Sequence, residues 1–235
     1  MSTFELPEWA KAFGLVAGIT ARGADFGLAS PEPAIAVLGR WRSFRQGLAP
    51  DFPAVALAHQ CHGAAVATHG ALPPGWHVLD GVDGHCTNAP GVLLAVTVAD
   101  CVPIYLAEPR SGWVGLLHAG WRGIAQGILE RGIEIVSGLA GSSPADLVLH
   151  CGVSICGDCY EVGPEVREAV VGVGGLGSGK LDLRAVLEQR ARLAGVSELT
   201  VSPWCTAHDG QAFYSHRGSG GRDGRMLAYL GRPVA

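Results

Sequence analysis

The stretch VLLAVTVADC, residues 92–101, indicates the fold class most directly. Its first eight residues form a continuous apolar run, which is typical of a strand buried on both faces of a sheet. The run stops at Asp100 and Cys101, and loops that follow buried strands commonly carry functional side chains. The stretch therefore predicts a core strand that ends at a potential metal ligand or nucleophile.

Two more apolar runs share this arrangement. AVALA, residues 54–58, is followed by His62, and WVGLL, residues 113–117, is followed directly by His118. Two imidazoles and one thiolate form the three-ligand zinc set of catalytic sites, which leaves a fourth position for water or substrate. On spacing alone His59 could replace His62 as the ligand, and the other histidine would then support the site or the fold. We therefore predict an open zinc site at His62, Cys101 and His118.

Helical patterns alternate with these strands. Residues 124–139 place Ile124, Ile128, Ile135 and Leu139 near one helix face, and Pro164 precedes a further helix over residues 165–171. Other predicted elements are a helix at 184–193 and strands at 147–149, 199–201 and 226–229. With 235 residues the chain can bury a full core, and we predict one α/β domain of mixed strand order.

The segment HAGWRG, residues 118–123, predicts an anion pocket beside the metal. Gly120 and Gly123 let backbone amides approach a ligand, and the start of a helix attracts anions. Arg122 adds a cationic fork that suits phosphate. Asp100, next to Cys101, is a candidate for orienting the metal site or transferring a proton, and equally for a structural cap.

Charge and cysteine content narrow the functional class. The net charge is −4 and no cluster of Lys and Arg with aromatic residues occurs, so we expect neither nucleic acid nor a membrane as partner. The first residues include an acidic residue where a signal peptide has basic ones, so we expect no export signal. Asp100 and Pro103 interrupt the apolar stretch 91–107, so we expect no membrane-spanning helix there. Seven unevenly spaced cysteines indicate reduced thiols, and we expect a cytoplasmic protein.

Several blocks of the sequence resemble the laccase-domain family of purine nucleoside phosphorylases, formerly described as multicopper polyphenol oxidases and, in some bacteria, as peptidoglycan editing factors. The resemblance runs from about Leu57 to Leu230 and is most specific in ADC, residues 99–101, and in HAGWRG. The other matching blocks are QCHG (60–63), CYEVG (159–163), LDL (181–183) and FYSHR (213–217), with Gly224-Arg225 after the last. The resemblance implies a layered α/β sandwich with mixed sheets, similar to cysteine hydrolases, and one catalytic domain over residues 1–235.

The same resemblance implies an activity. Zinc would be held by His62, Cys101 and His118, and the reaction would be phosphorolysis of adenosine, inosine, guanosine and 5'-methylthioadenosine, with accessory adenosine deamination. Both reactions are understandable at one open zinc site. Zinc-bound water, whose pKa is lowered, can attack C6 of adenine, and phosphate can attack the ribose carbon while the purine leaves. Arg22, in the block TARG (20–23), and Gln60 are further candidates for substrate contact, as are His216 and Arg217. The partners would be purine nucleosides and phosphate, in a monomer or homodimer.

Three alternatives remain at this point. A copper polyphenol oxidase needs several metals, but no two histidines are two residues apart; a single Cys/His site can still bind copper. A metal-free cysteine hydrolase would use Cys101 as nucleophile and His118 as base. Cys156 and Cys159 form a C-x-x-C pair that suits a redox dithiol or half of a structural zinc site. Because no second C-x-x-C exists, we interpret this pair as buried, unreactive cysteines.

Overall fold

The computed structural model describes residues 2–27, 30 and 32–234 of the chain. The strands of this part are β1 (Thr3–Glu5), β2 (Val16–Thr20), β3 (Ala54–His59), β4 (Val66–His69), β5 (Gly75–Asp80), β6 (Gly84–Thr87), β7 (Val92–Val98), β8 (Val102–Glu108), β9 (Trp113–Ala119), β10 (Val148–Cys151), β11 (Glu161–Val162), β12 (Gly179–Lys180), β13 (Glu198–Val201) and β14 (Met226–Gly231). The helices are α1 (Pro7–Phe13), α2 (Ala34–Leu48), α3 (Trp121–Ala125), α4 (Ile128–Ala140), α5 (Pro164–Val171) and α6 (Leu183–Leu193).

Two six-stranded sheets form the centre of the molecule. The first has the strand order β1-β2-β14-β7-β3-β5 and the second has the order β13-β10-β8-β9-β6-β4. Both are mixed: β3 runs parallel to β5 and β7 while β14 is antiparallel to β7, and β10 runs parallel to β13 but antiparallel to β8. The predicted layered α/β sandwich with mixed sheets is confirmed.

Strand β7 shows why the sheets stack. Val92, Leu94 and Val96 share a core with Leu116 and other residues of the second sheet, whereas Leu93 and Ala95 pack in the core that holds Trp41 of α2 and its neighbours. Successive side chains of a strand alternate between its faces, so an unbroken apolar run needs a packed layer on each side. Helices α4, α5 and α6 cover the outer face of the second sheet. The continuous run at 92–98 therefore belongs to a strand buried on both faces, as predicted.

The helices at 165–171 and 184–193 are confirmed to within one residue, but the helix at 124–139 is wrong in two respects. The chain forms α3 and α4 instead, separated at Gln126 and Gly127, where Gly127 has φ 83°. The periodicity does not carry across this turn, so Leu139 is 47% exposed, and Ile128 is the one residue of the predicted face that belongs to the buried face of α4. The buried face consists of six residues. These residues are Ile128, Leu129, Gly132, Ile133, Val136 and Ser137.

Strand β8 was not predicted, because Asp100 and Pro103 interrupt the apolar pattern there. Strand β10 pairs with Ile104 to Ala107 and stops short of Pro103. The carbonyl of Pro103 accepts a hydrogen bond from the Gly152 amide (2.8 Å). The nitrogen of Pro103, which has no hydrogen to donate, points to the same edge of the strand, beyond the residues that pair with β10. Proline is tolerated in a strand at such a position.

The connections of β3, β7 and β9 converge at one end of the sandwich. Residues 99–101 carry the chain from β7 in the first sheet to β8 in the second. The loop after β3 and the end of β9 lie beside this crossover, as the contacts below show. Among the described residues, no helix combines the length and apolar character needed to cross a membrane.

Candidate metal centre

The structure brings His62, Cys101 and His118 together. One ligand atom from each of these side chains lies within 4.8 Å of the other two, and the imidazole centroids of His62 and His118 are 4.8 Å apart. His118 is the next-to-last residue of β9 rather than a loop residue. His59 lies outside this group; its exposed ring faces Asp80, with Nδ1 3.0 Å from Oδ1. The site thus contains the histidine that the sequence analysis chose from this pair.

Asp83 organises the site from behind, in the turn before β6. Its buried carboxylate accepts hydrogen bonds from the amides of Cys61 (3.1 Å), His62 (2.9 Å) and Gly63 (2.7 Å), and it lies 2.8 Å from Nδ1 of His118. This contact makes Nδ1 of His118 the protonated donor, so Nε2 is free to bind a metal. Burial acts to raise the pKa of Asp83, but the hydrogen bonds from His118 and Gly63 outweigh it and hold the pKa below its ordinary value.

Sequence reasoning missed Asp83 as a site residue. Nothing in the local pattern distinguishes Asp83 from an ordinary turn aspartate in VDG, residues 82–84. Its role depends on three consecutive amides from a loop about 20 residues earlier in the chain and on a histidine 35 residues later. Such a convergence is visible in three dimensions alone.

Two ligand-bearing loops have unusual backbone conformations. Among the described residues, His62 (φ 61°) and Asp100 (φ 82°) are the non-glycine residues with positive φ. Such conformations cost about 1–3 kcal/mol each and persist where surrounding contacts enforce them, often at functional sites. At His62 the three amides bound by Asp83 supply those contacts. The loop geometry is therefore fixed by the protein itself.

The thiol of Cys101 lies in a cationic environment. Burial acts to raise its pKa, but the neighbouring imidazoles of His118 and His62 lower the pKa to about 6. Burial conversely acts to lower the pKa of His118, which Cys101 and Asp83 together raise to about 9. The thiolate is the form that binds metals and attacks electrophiles, so the environment favours the chemically competent state of Cys101.

Gly120 and Gly123 make room for the ligands. A Cβ at Gly120 would lie 2.9 Å from Sγ of Cys101 and 3.2 Å from Cδ2 of His62, and a Cβ at Gly123 would lie 2.7 Å from the carbonyl oxygen of Gly63. The sequence analysis assigned both glycines to phosphate binding. The structure shows them in close contact with the metal-site loops.

A Gly120→Ala substitution should therefore weaken metal binding by about 10-fold or more, the effect expected when ligand orientation is disturbed. The backbone of Gly120 has φ −83°, which alanine adopts without strain, so the effect should come from the added methyl group alone. Zinc affinity measured by competition with a chelator tests this. Gly138→Ala is the matched control, since a Cβ there meets nothing within 4 Å; equal affinities in the two variants would contradict the prediction.

Asp100 anchors the neighbouring loops. Its Oδ1 accepts a hydrogen bond from Oγ1 of Thr206 (2.6 Å), and its Oδ2 accepts one from the amide of Arg217 (2.6 Å). Both carboxylate oxygens are thus engaged with two segments that are distant in sequence. These contacts are those of a structural anchor, while the roles in orienting the metal site and in proton transfer stay predictions.

A cavity of about 1020 Å³ opens over the three ligands. Four arginines line it: Arg122, Arg217, Arg222 and Arg225. Within the described part of the chain none of them forms an ion pair with a carboxylate. Arg122 stacks on the Trp121 ring at 4.2 Å, and Arg217 stacks on the Tyr160 ring at 4.8 Å while donating to the carbonyl of Glu161.

Among the described residues, the acids of this cavity form no ion pair with these four arginines. Asp100 is engaged as described, Asp25 accepts from the backbone amides of Gly27 and Arg225, and Asp223 pairs with Arg22. The cavity therefore offers several cationic groups to an incoming anion. Sequence reasoning found Arg122 and Arg217 as substrate contacts but missed Arg222, Arg225 and Tyr160. The two arginines reach the cavity through the fold of residues 215–225, and Tyr160 reaches it through the loop that follows Cys159.

Two predicted substrate contacts are occupied by protein groups. Gln60 donates from Nε2 to the carbonyl of Thr97 (2.9 Å), and its Oε1 accepts from the Thr97 amide (2.7 Å) and hydroxyl (2.9 Å). Gln60 lines the cavity while tying the loop after β3 to β7. Arg22 pairs with Asp223, donates to the carbonyl of Phe213 and is not among the residues that line the cavity.

A second group of potential metal ligands lies outside this cavity. It consists of Cys156, Cys159, Cys205 and His208. Cys156 and Cys159 are half-buried, so their interpretation as buried cysteines is wrong. The missing half is C-x-x-H rather than C-x-x-C, and a search restricted to cysteine pairs overlooks it.

Comparison with known proteins agrees with this architecture. A family model described as multi-copper polyphenol oxidoreductase laccase matches residues 13–233. A purine nucleoside phosphorylase of Deinococcus radiodurans is 39% identical over 193 residues, which cover 79% of this chain and 72% of that protein. A protein named adenosine deaminase RL5, from an unknown prokaryotic organism, is 34% identical over 167 residues, covering 66% of this chain and 63% of that protein.

A solved structure shows the same fold. The crystal structure of YlmD from Geobacillus stearothermophilus matches with a TM-score of 0.86 at 32% identity, covering 94% of this chain and 93% of that chain. The curated YlmD of this organism is named a purine nucleoside phosphorylase and is 36% identical over 209 residues, 83% of this chain and 73% of that protein. Since the family model spans nearly the whole sequence, the chain belongs to the multi-copper polyphenol oxidoreductase laccase family, whose relatives here include proteins named purine nucleoside phosphorylase.

Proposed function

We propose that the protein is a zinc-dependent purine nucleoside phosphorylase that acts on adenosine, inosine, guanosine and 5'-methylthioadenosine, with adenosine deaminase as an accessory activity. The observation that carries the proposal is the position of an open Cys/His ligand set at a cavity lined by four arginines without carboxylate partners among the described residues. Relatives named for each of the two activities support it. Residues 1–235 would act as one catalytic domain.

The donor set fits zinc. His62, Cys101 and His118 supply two imidazoles and one thiolate, and Asp83 holds His118 with Nε2 available. Zinc bound there would supply Lewis acidity at the cavity. Copper is also compatible with a single Cys/His site. The described residues contain two separate ligand groups, neither of which has the several histidines of a multinuclear copper cluster, so polyphenol oxidation is the weaker proposal.

Phosphorolysis requires the chain to bind an anion and a purine together. A phosphate oxygen bonds to the anomeric carbon of the ribose, the bond from that carbon to the purine nitrogen breaks, and the base leaves with that electron pair and takes up a proton. Arg122 is suited to hold phosphate because its guanidinium is exposed and its one recorded contact is with a ring. The Tyr160 ring lines the same cavity and offers a face on which a base can stack.

Arg122→Lys should reduce phosphorolysis, and Arg122→Ala should reduce it further, by about 10-fold to 100-fold if one charge-assisted contact of about 1.5–3 kcal/mol is lost. Deamination of adenosine consumes water and no phosphate, so it should decline less. The rate of adenine formation with phosphate measures phosphorolysis, and the rate of inosine formation without phosphate measures deamination, because inosine is itself a proposed substrate of phosphorolysis. Arg131→Ala, an exposed arginine on α4 outside the cavity, is the control; equal loss of both activities at Arg122 would assign this residue to the nucleoside or the fold.

One incubation tests the function. Adenosine is supplied to purified protein with and without phosphate, and adenine, ribose 1-phosphate and inosine are followed. A phosphorylase forms adenine and ribose 1-phosphate only when phosphate is present, whereas a deaminase forms inosine in both conditions. Formation of neither set of products would reject the proposal.

A metal-free cysteine hydrolase is the second candidate, and a specific arrangement favours it. Cys101, His118 and Asp83 lie in the order of nucleophile, base and orienting acid. Such a triad does not use His62, however, which the protein holds beside the thiol in a strained backbone conformation. Activity that survives exhaustive chelation would support the hydrolase and contradict the zinc enzyme.

A further inference from the structure

Four side chains from two distant segments converge outside the cavity. Ligand atoms of Cys156, Cys159, Cys205 and His208 all lie within 4.8 Å of one another. The ring nitrogens of His208 lie 3.6 Å (Nδ1) from Sγ of Cys156 and 3.2 Å (Nε2) from Sγ of Cys159. Ligands of tetrahedral zinc, with bonds of about 2.3 Å to sulfur and 2.0–2.1 Å to nitrogen, are separated by about 3.5–3.8 Å. One nitrogen of His208 can bind a given zinc ion, and the four ligand atoms, within 4.8 Å of one another, would reach zinc-site distances by moving together by up to about 1 Å.

The spacing of these residues is that of a zinc motif. Cys156 and Cys159 form C-x-x-C, and Cys205 and His208 form C-x-x-H. Three thiolates and one imidazole fill all four positions of tetrahedral zinc, unlike the open set at the cavity. From this geometry and spacing we propose that Cys156, Cys159, Cys205 and His208 bind a structural zinc ion, separate from the metal at the candidate active site.

The loops of this group are arranged around the Cys205 sulfur. The amides of Cys156 (3.3 Å) and His208 (3.5 Å) donate to its Sγ, and the amide of Cys205 itself donates to Asp209 Oδ2 (2.9 Å). Amide hydrogen bonds of this kind orient a sulfur ligand and stabilise its negative charge. The backbone amides therefore position Cys205 as a ligand, and this observation is additional to the clustering of the four side chains.

The zinc would fasten one wall of the cavity. Tyr160, which lines the cavity, directly follows Cys159, and Thr206, which donates to Asp100, directly follows Cys205. A short bridge between Ser154 and Cys205 joins the same two segments. Asp100 in turn precedes the ligand Cys101. A metal that ties 156–159 to 205–208 thus restrains both an aromatic wall residue and the anchor of the active-site crossover.

Metal content and sulfur coordination test the proposal on the unmodified protein. Protein purified without added metal should contain two zinc ions per chain. X-ray absorption should show one sulfur ligand at the first site and three at the second, an average of two per zinc. One zinc per chain with a single sulfur ligand would overturn the proposal, whether or not the protein proves to be a phosphorylase.

Variants then locate the second ion. Cys205→Ser and His208→Ala should each lower the zinc content from two ions to one and lower the melting temperature. Cys86→Ala is the matched control, because Cys86 is a buried thiol outside both groups and its loss should leave two ions bound. Two ions in the Cys205 and His208 variants would place the second zinc elsewhere. If either variant fails to fold, the sulfur count of the unmodified protein still decides.

A redox role for the same thiols gives different results. If Cys156 and Cys159 formed a reversible disulfide, thiol titration of the native protein would show two thiols that disappear on mild oxidation without release of zinc. The zinc proposal requires instead that oxidation of these thiols release one zinc ion per chain. Oxidation with no zinc released would overturn it.

Discussion

His62→Ala should remove the zinc from the candidate active site and lower turnover by about 10³-fold or more. The reason is that the Lewis acidity of zinc, which this variant loses, stabilises the transition state by several kcal/mol. The side chain of His62 is exposed at the cavity, so the substitution leaves the core intact. The protein should lose one zinc ion per chain and remain folded. Zinc analysis, turnover with saturating nucleoside and a melting curve measure the three quantities.

His59→Ala is the control for this substitution. His59 is the last residue of β3 and also lines the cavity, but its exposed ring faces Asp80 and lies outside the ligand group. It should keep its zinc and most of its activity. Full zinc in His62→Ala together with loss in His59→Ala would show that the other histidine of the pair is the ligand.

Asp83→Asn should have the second largest effect. Asparagine offers one acceptor oxygen where the carboxylate now serves three amides and His118, so at least one buried donor is left unpaired. We expect about 10-fold to 100-fold weaker zinc binding and a loss of about 2–3 kcal/mol in the free energy of unfolding. Chelator competition and urea unfolding measure these changes.

Asp80→Asn provides the matched comparison. Asp80 lies three residues earlier at the end of β5, its side chain is 90% exposed, and it contacts a histidine that is outside the ligand group. Unfolding free energy and zinc affinity should both stay near the wild-type values. Similar effects at Asp80 and Asp83 would mean that general negative charge, rather than the hydrogen bonds of Asp83, supports the site.

The core strands and the three ligands were accessible from the sequence because both signals are local. A continuous apolar run such as 92–98 predicts a doubly covered strand whatever its neighbours are, and a ligand type at the end of such a run predicts the edge where it will lie. The helices at 164–171 and 183–193 carry their own start signals in Pro164 and Asp182, the second of which accepts from the amides of Arg184 and Ala185. These features need no knowledge of the topology.

The remaining features depend on contacts between distant segments. Strand β8 is concealed by Pro103, which is tolerated because β10 ends before it reaches that residue. Asp83 is recognisable once three amides and His118 surround it, and Cys205 with His208 is recognisable once the loop 156–159 lies against it. Sequence patterns do not encode such pairings, so a positioning residue and half of a metal-ligand group were missed.

The three candidate ligands come from both layers of the sandwich: His62 follows a strand of the first sheet, Cys101 lies at the crossover, and His118 belongs to the second sheet. An ion bound to all three would add coordination bonds at a junction where the layers are already linked by the 99–101 crossover and by the hydrogen bonds from the His62 loop to Asp83. Separation of the two sheets at this end of the molecule would then require a coordination bond to break.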